Sequence, residues 1–240
     1  MMEASAPRTG SAQTGVALVL LLLGQAVALA TDWPQYRGPT TDGISPDPIA
    51  ATWATNSPGF VVWTNMSLTN GFSSFAVSQG RAFALISKND GQGNLLEYCV
   101  GLDAATGTNL WATPIGDEPW SPTATGDGGA GSAPYNTGDG PRTTPSVNDG
   151  RVVALSSGRY SPAQLHLVCL NATNGSVVWS NDLVSAYGAS TIAWDNAASP
   201  CLDNDLVFVN LNSSPNSQNL AAFRVADGGL AWSSQNENVT

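Results

Sequence analysis

The sequence predicts an all-β fold assembled from repeated four-stranded blades. Three observations predict it: a ten-residue repeat that occurs three times without gaps, a second pair of strand-forming runs upstream of each copy, and a composition made for strands and turns. The copies read LDAATGTNLW (Leu102–Trp111), LNATNGSVVW (Leu170–Trp179) and FRVADGGLAW (Phe223–Trp232). Gly107, Gly175 and Gly228 share the sixth position, and Trp111, Trp179 and Trp232 share the tenth. Self-similarity at this period is the signature of a repeat architecture in which each unit buries its faces against its neighbours.

Each copy predicts a β-hairpin. A strand runs into Thr106-Gly107, Asn174-Gly175 or Asp227-Gly228, where glycine accepts the positive φ of a tight turn, and a second strand ends in the tryptophan. The residue before each copy, Gly101, Cys169 or Ala222, is small. It leaves room for an indole close to the backbone, so the tryptophans are expected to dock blade against blade.

The upstream strands are FAVSQGRAFALI from Phe75, PSVNDGRVVALS from Pro145 and PCLDNDLVFVNL from Pro200. Each places a polar turn (Gln79-Gly80, Asp149-Gly150, Asn204-Asp205) between two strand-forming runs, which brings each unit to four strands. The three tryptophans are spaced by 68 and 53 residues. Both intervals exceed the roughly 40 to 50 residues of a bare blade and imply insertions.

The longest insertion, residues 116–142, is rich in Gly, Pro, Ser, Thr and Asp and reads as a surface loop. Its Asp117, Glu118, Asp127 and Asp139 match no compact calcium-ligand spacing. A shorter insertion, Ser185 to Ser199, carries Tyr187 and Trp194, which either line a binding face or fill gaps between blades.

Charged residues are 11% of the 240, Lys88 is the single lysine, and the formal net charge is −10. Long amphipathic helices are not expected, and no basic cluster offers a footprint for nucleic acid or an anionic membrane. Residues 1–30 read as a secretory signal peptide: a polar stretch with Arg8, the apolar run Val16 to Leu23, and the small residues Ala28-Leu29-Ala30 before cleavage. That run is shorter than the roughly 20 residues needed to span a bilayer. The expected product is exported, periplasmic or extracellular, with no integral membrane segment after cleavage.

The expected domain plan is a leader over 1–30, an N-terminal segment with a ring-closing strand over 31–70, and a partial propeller over 71–240. Its blades fall at about 71–116, 141–185 and 188–235.

Chemistry-bearing residues are sparse. Cys99, Cys169 and Cys201 form no CxxC pair and are read as small apolar side chains in strands, with one disulfide left open. His166 is the one histidine and faces opposite to Cys169 by strand alternation. No serine lies in a GxSxG context. The residues themselves predict no catalytic, cofactor-binding or metal site. Trp120, Tyr135, Tyr187 and Trp194 are the candidate surface-binding aromatics, and a glycan is the ligand they would stack on.

On LDAATGTNLW, on the blade entries GFSSFAVSQGRAFAL and GPRTTPSVNDGRVVAL, and on the N-terminal DWPQYRGPTTDGIS, the chain resembles the PQQ-binding-like (quinoprotein-like) β-propeller repeat proteins. That family includes the BamB-type outer-membrane assembly factors and, more distantly, the quinoprotein alcohol dehydrogenases. The resemblance runs from Asp32 to about Gln235. It implies a ring of about eight blades, of which about three are present, and a ring-closing strand at FVVWTNMSL (Phe60–Leu68). Three blades alone would leave open sheet edges, so the protein is expected to continue beyond Thr240 or else to assemble with other chains.

For the dehydrogenase branch the resemblance implies PQQ beneath an adjacent Cys-Cys disulfide, a calcium ion and an Asp base. The cysteines here are far apart and no acidic residue matches that base, so PQQ and calcium enter by resemblance alone. The expected function is a non-catalytic binding or scaffold module at the cell envelope with a protein partner. The alternatives are part of a PQQ-dependent dehydrogenase whose active-site groups lie outside this chain, and a propeller that binds extracellular polysaccharide.

Overall fold

The computed structural model describes residues 31–48, 61–69, 71–92, 94–117, 140–156, 159–160, 163–190, 196–211 and 218–235. All belong to the compact unit Thr31–Thr240. The leader expected over residues 1–30 and most of the long loop lie outside them.

Each repeat is one antiparallel four-stranded sheet. The first runs in order through β1 (Ala76–Ser78), β2 (Arg81–Asn89), β3 (Leu95–Asp103) and β4 (Asn109–Asp117). The second contains β5 (Ser146–Asn148) and β6 (Arg151–Leu155), then a small hairpin of β7 (Arg159–Tyr160) and β8 (Ala163–Gln164), then β9 (His166–Asn171) and β10 (Val177–Asp182). After β10 comes one short helix, α1 (Leu183–Tyr187). The third sheet orders β11 (Cys201–Asp203), β12 (Leu206–Asn210), β13 (Gln218–Arg224) and β14 (Leu230–Gln235).

The core lies between sheets, which explains the near-continuous apolar runs of the central strands. In β6, Val152 and Ala154 join Phe83, Leu85 and Cys99 of the first sheet in one buried cluster. The alternate residues Val153 and Leu155 join Val207, Val209 and Phe223 of the third sheet in another. Period-two alternation thus gives each middle-blade strand two apolar faces, one for each neighbour.

The predicted hairpin turns form in all three blades. Gly107, Gly175 and Gly228 have φ of 70°, 72° and 72°, and each donates its N–H to the carbonyl four residues earlier, Asp103, Asn171 or Arg224, at 2.8–2.9 Å. The Asp103 carboxylate accepts from the Ala105 and Thr106 amides and the Thr106 hydroxyl. The Thr106 hydroxyl and amide in particular hold that carboxyl below its usual range. In blade 3, Arg224 stands at this position and Asp227 takes over, accepting from the Gly229 amide and pairing with Arg224. The Gly229 N–H is the chief reason its carboxyl is also lowered.

Three local features depart from the sequence reading. Residues 61–69, expected to hold a strand, carry no strand pairing, because among the described residues no strand lies beside them to complete a ladder. The strand expected from Gln164 is split, with Leu165 separating β8 from β9. The insertion after blade 2 begins with α1, capped by the Asp182 side chain at its start and by Gly188 (φ 68°) at its end.

All three cysteines are unpaired thiols. Burial pushes the Cys169 thiol up to about 11 and raises Cys99 further, while Cys201 is exposed and less perturbed. The thiolate is the reactive species. Disulfide-exchange labelling of the folded chain at pH 8 is therefore expected to modify Cys201 first, with Cys99 and Cys169 reacting only on unfolding.

Candidate functional site

The repeated contact between blades follows a fixed code. The Trp111 indole packs against its own cross-strand partner, Gly101, and against the turn glycine of the next blade, Gly175. A side chain at Gly101 would collide with the indole, and a Cβ at Gly175 would lie 2.6 Å from it. Trp179 repeats this with Cys169 as cross-strand partner and Gly228 as socket, 2.7 Å from a hypothetical Cβ.

Two hydrogen bonds fix each contact, one of them from the indole. Its Nε1–H donates to the carbonyl three residues before the socket glycine: Trp111 to Ala172 (3.2 Å) and Trp179 to Val225 (2.8 Å). The side chain two residues after the tryptophan donates to the glycine carbonyl itself: Thr113 to Gly175 and Asn181 to Gly228, both at 2.7 Å.

Trp63 follows the same code, which the sequence repeat did not reveal. It covers Gly107, donates to Ala104 O at 2.9 Å, and Asn65 donates to Gly107 O at 2.7 Å. The available signal was the Trp-x-Asn spacing, which Trp179 and Asn181 share. The segment expected to hold a ring-closing strand thus docks on the turn of blade 1.

The first strands of the blades converge, with β5 touching both β1 and β11. Across them runs the N-terminal segment. The middle residues of β1, β5 and β11 are Val77, Val147 and Leu202. Their outward N–H groups are taken in turn by Trp33 O (2.8 Å), Pro34 O (2.7 Å) and the Gln35 side-chain Oε1 (2.9 Å). Three consecutive N-terminal residues therefore satisfy one equivalent donor in each blade. Gln35 is buried, so Gln35→Leu would orphan the Leu202 N–H. A loss of about 1–3 kcal/mol is expected from such an unsatisfied donor, measurable by denaturant unfolding.

A polar cleft of about 620 Å³ opens where the turns of blades 2 and 3 meet, lined among others by Asp149, Arg151, Asn171, Asp205 and Arg224. Its volume suits a small polar ligand or a peptide turn, and it offers both signs of charge.

The candidate aromatics do not form one platform in the described residues. Tyr187 packs edge-on against Phe223 with ring centroids 5.0 Å apart, which is the gap-filling role. Trp120, Tyr135 and Trp194 lie outside the described residues, as do Glu118, Asp127 and Asp139. Asp117 ends β4, paired with Leu96. His166 sits near Gly116 of blade 1, while Cys169 packs in the core shared with blade 3, the opposite faces that alternation predicts. Among the described residues no cluster of three His, Cys, Asp or Glu is arranged to hold a metal ion, and no helix is long and apolar enough to cross a membrane.

The residues present do not fit PQQ as the resemblance describes it. The three thiols belong to three different sheets, so no adjacent pair can lie over a quinone, and the convergent inner N–H groups are engaged by residues 33–35.

Serial four-stranded blades docked by tryptophan on a glycine turn are those of a quinoprotein-like β-propeller. Residues 54–240 match the family model described as outer membrane protein assembly factor BamB, and the chain belongs to that family. Similar solved structures include the quinohemoprotein alcohol dehydrogenase ADHIIG from Pseudomonas putida HK5 (14% identity, TM-score 0.46, covering 72% of this chain and 22% of that one). The quinohemoprotein alcohol dehydrogenase from Comamonas testosteroni is 17% identical, with a TM-score of 0.44 and the same coverages. BamB from Moraxella catarrhalis is 15% identical, with a TM-score of 0.33, covering 74% of this chain and 55% of that one. The chain thus spans about a fifth of the dehydrogenases and about half of that BamB. No curated protein sequence matches it significantly.

Proposed function

We propose that this chain is a non-catalytic binding or scaffold module of the cell envelope, and that it receives a protein partner on the side of its blades where the cleft between blades 2 and 3 opens. The observation that carries this reading is the engagement of the inner-strand N–H groups by Trp33, Pro34 and Gln35. The convergent inner N–H groups, where a propeller could hold a small ligand, are taken by the chain's own N-terminal segment. The polar cleft, with Arg151 and Arg224 beside Asp149 and Asp205, remains open to a partner's hydrogen-bonding groups. Membership of the family described as an outer-membrane assembly factor supports the envelope setting.

The test is site-specific photocrosslinking in the source cells from Thr173 and Asn204, which line the cleft, with exposed Leu110 of β4 as the control. A discrete adduct with one identified envelope protein from the cleft positions alone is expected. Absence of any such adduct, or quinone absorbance and dye reduction after loading the purified chain with PQQ and calcium, would overturn the reading.

A further inference from the structure

The N-terminal segment that crosses the three first strands starts from an anchored nitrogen. Thr31 immediately precedes Asp32, whose carboxylate accepts from the Ser78 hydroxyl and the Gln79 amide at the β1–β2 turn, and Trp33, whose backbone pairs with Val77. Both carboxylate oxygens of Asp47 face the Thr31 nitrogen, at 3.2 and 3.0 Å, and Oδ1 also accepts the Thr31 hydroxyl at 2.7 Å. The chain folds back across 16 residues to bring this half-buried carboxylate to that one nitrogen. Among the described residues the Asp47 carboxylate accepts from Thr31 alone, and the neighbouring cation, Arg37, donates to the Asp42 carbonyl instead.

A peptide N–H is a single donor split here between two acceptors, whereas an ammonium carries three donors and the charge that matches a carboxylate. The same nitrogen marks a boundary. The compact unit begins at Thr31, and Ala28-Leu29-Ala30 places before it the small residues that a signal peptidase accepts. We propose that the Ala30–Thr31 bond is a processing site and that Asp47 is the receptor for the terminus created there. Hydrolysis by a signal peptidase adds one water across the amide, leaving Ala30 as a carboxylate and Thr31 as an α-ammonium, which pairs with the Asp47 carboxylate. The pair anchors the segment whose Trp33, Pro34 and Gln35 engage Val77, Val147 and Leu202, so the clasp across the blades tightens once the chain is exported and cut. A partner carboxylate favours the charged amine and raises its pKa, so the anchoring is present at neutral pH and is lost as pH rises through that raised value.

The test exports the full 240-residue chain from a bacterial host and sequences the N-terminus of the product, which should be Thr31. NMR titration of its α-amine should give a midpoint about 0.2–0.7 units above that of Asp47→Asn, a gap that high salt narrows. At pH 7, exchange of the Val77 N–H, which donates to Trp33 O, should be about two- to fivefold faster in exported Asp47→Asn than in the exported parent. That difference should shrink in the chain that retains residues 1–30. A product that begins elsewhere, equal α-amine midpoints, or an equal Val77 effect with and without residues 1–30 would overturn the proposal.

Discussion

Gly175→Val is expected to destabilise the blade 1/blade 2 interface strongly. The backbone there has φ of 72°, a conformation costing an L-residue roughly 1–2 kcal/mol. A Cβ would also lie 2.6 Å from the Trp111 ring and 2.8 Å from the Thr113 hydroxyl, and such overpacking costs about 1–3 kcal/mol more. The combined loss of about 2–5 kcal/mol is a large part of a domain's stability. Urea unfolding should show a lowered midpoint, and Gly150→Val should lose less. Gly150 shares a φ of 72° but has nothing within 4 Å of the added carbon, so the difference between the two isolates the collision with the indole.

The second large effect separates tryptophans that look alike in sequence. Trp179→Ala removes an indole packed on Gly228 and the 2.8 Å bond to Val225 O. It leaves a void between blades, and a loss of about 3–5 kcal/mol is expected. Trp232→Ala should cost about 1 kcal/mol, since that residue is 41% exposed and among the described residues its ring contact is Phe208 of its own sheet. Equal losses would mean that docking on the next blade's turn contributes little.

The parts of this arrangement visible in the sequence are those set by local chemistry. Gly107, Gly175 and Gly228 stand where a turn needs positive φ, and the small residues Gly101, Cys169 and Ala222 stand opposite their tryptophans. Both follow from the residue types and their spacing. The choice of socket does not, because Trp111 reaches Ala172 across 61 residues and an insertion intervenes. The N-terminal segment was still less legible. Gln35 meets Leu202 across 167 residues, and nothing in DWPQYRG states that it will cross three strands. Tyr187 shows the limit from the other side: an aromatic in an insertion reads equally as platform or filler, and only the Phe223 contact decides between them.

The central claim is that each blade is locked by an indole seated on the turn glycine of the next. A double-mutant cycle between Trp179 and Gly228, read by equilibrium unfolding, tests it most directly. The Cβ of Gly228→Ala would lie 2.7 Å from the Trp179 ring, so truncating Trp179 to alanine should relieve the clash. The double variant should then be more stable than the sum of the single losses by about 0.5–3 kcal/mol, the range for residues in direct contact. Losses that add within about 0.5 kcal/mol would contradict the seating of one on the other.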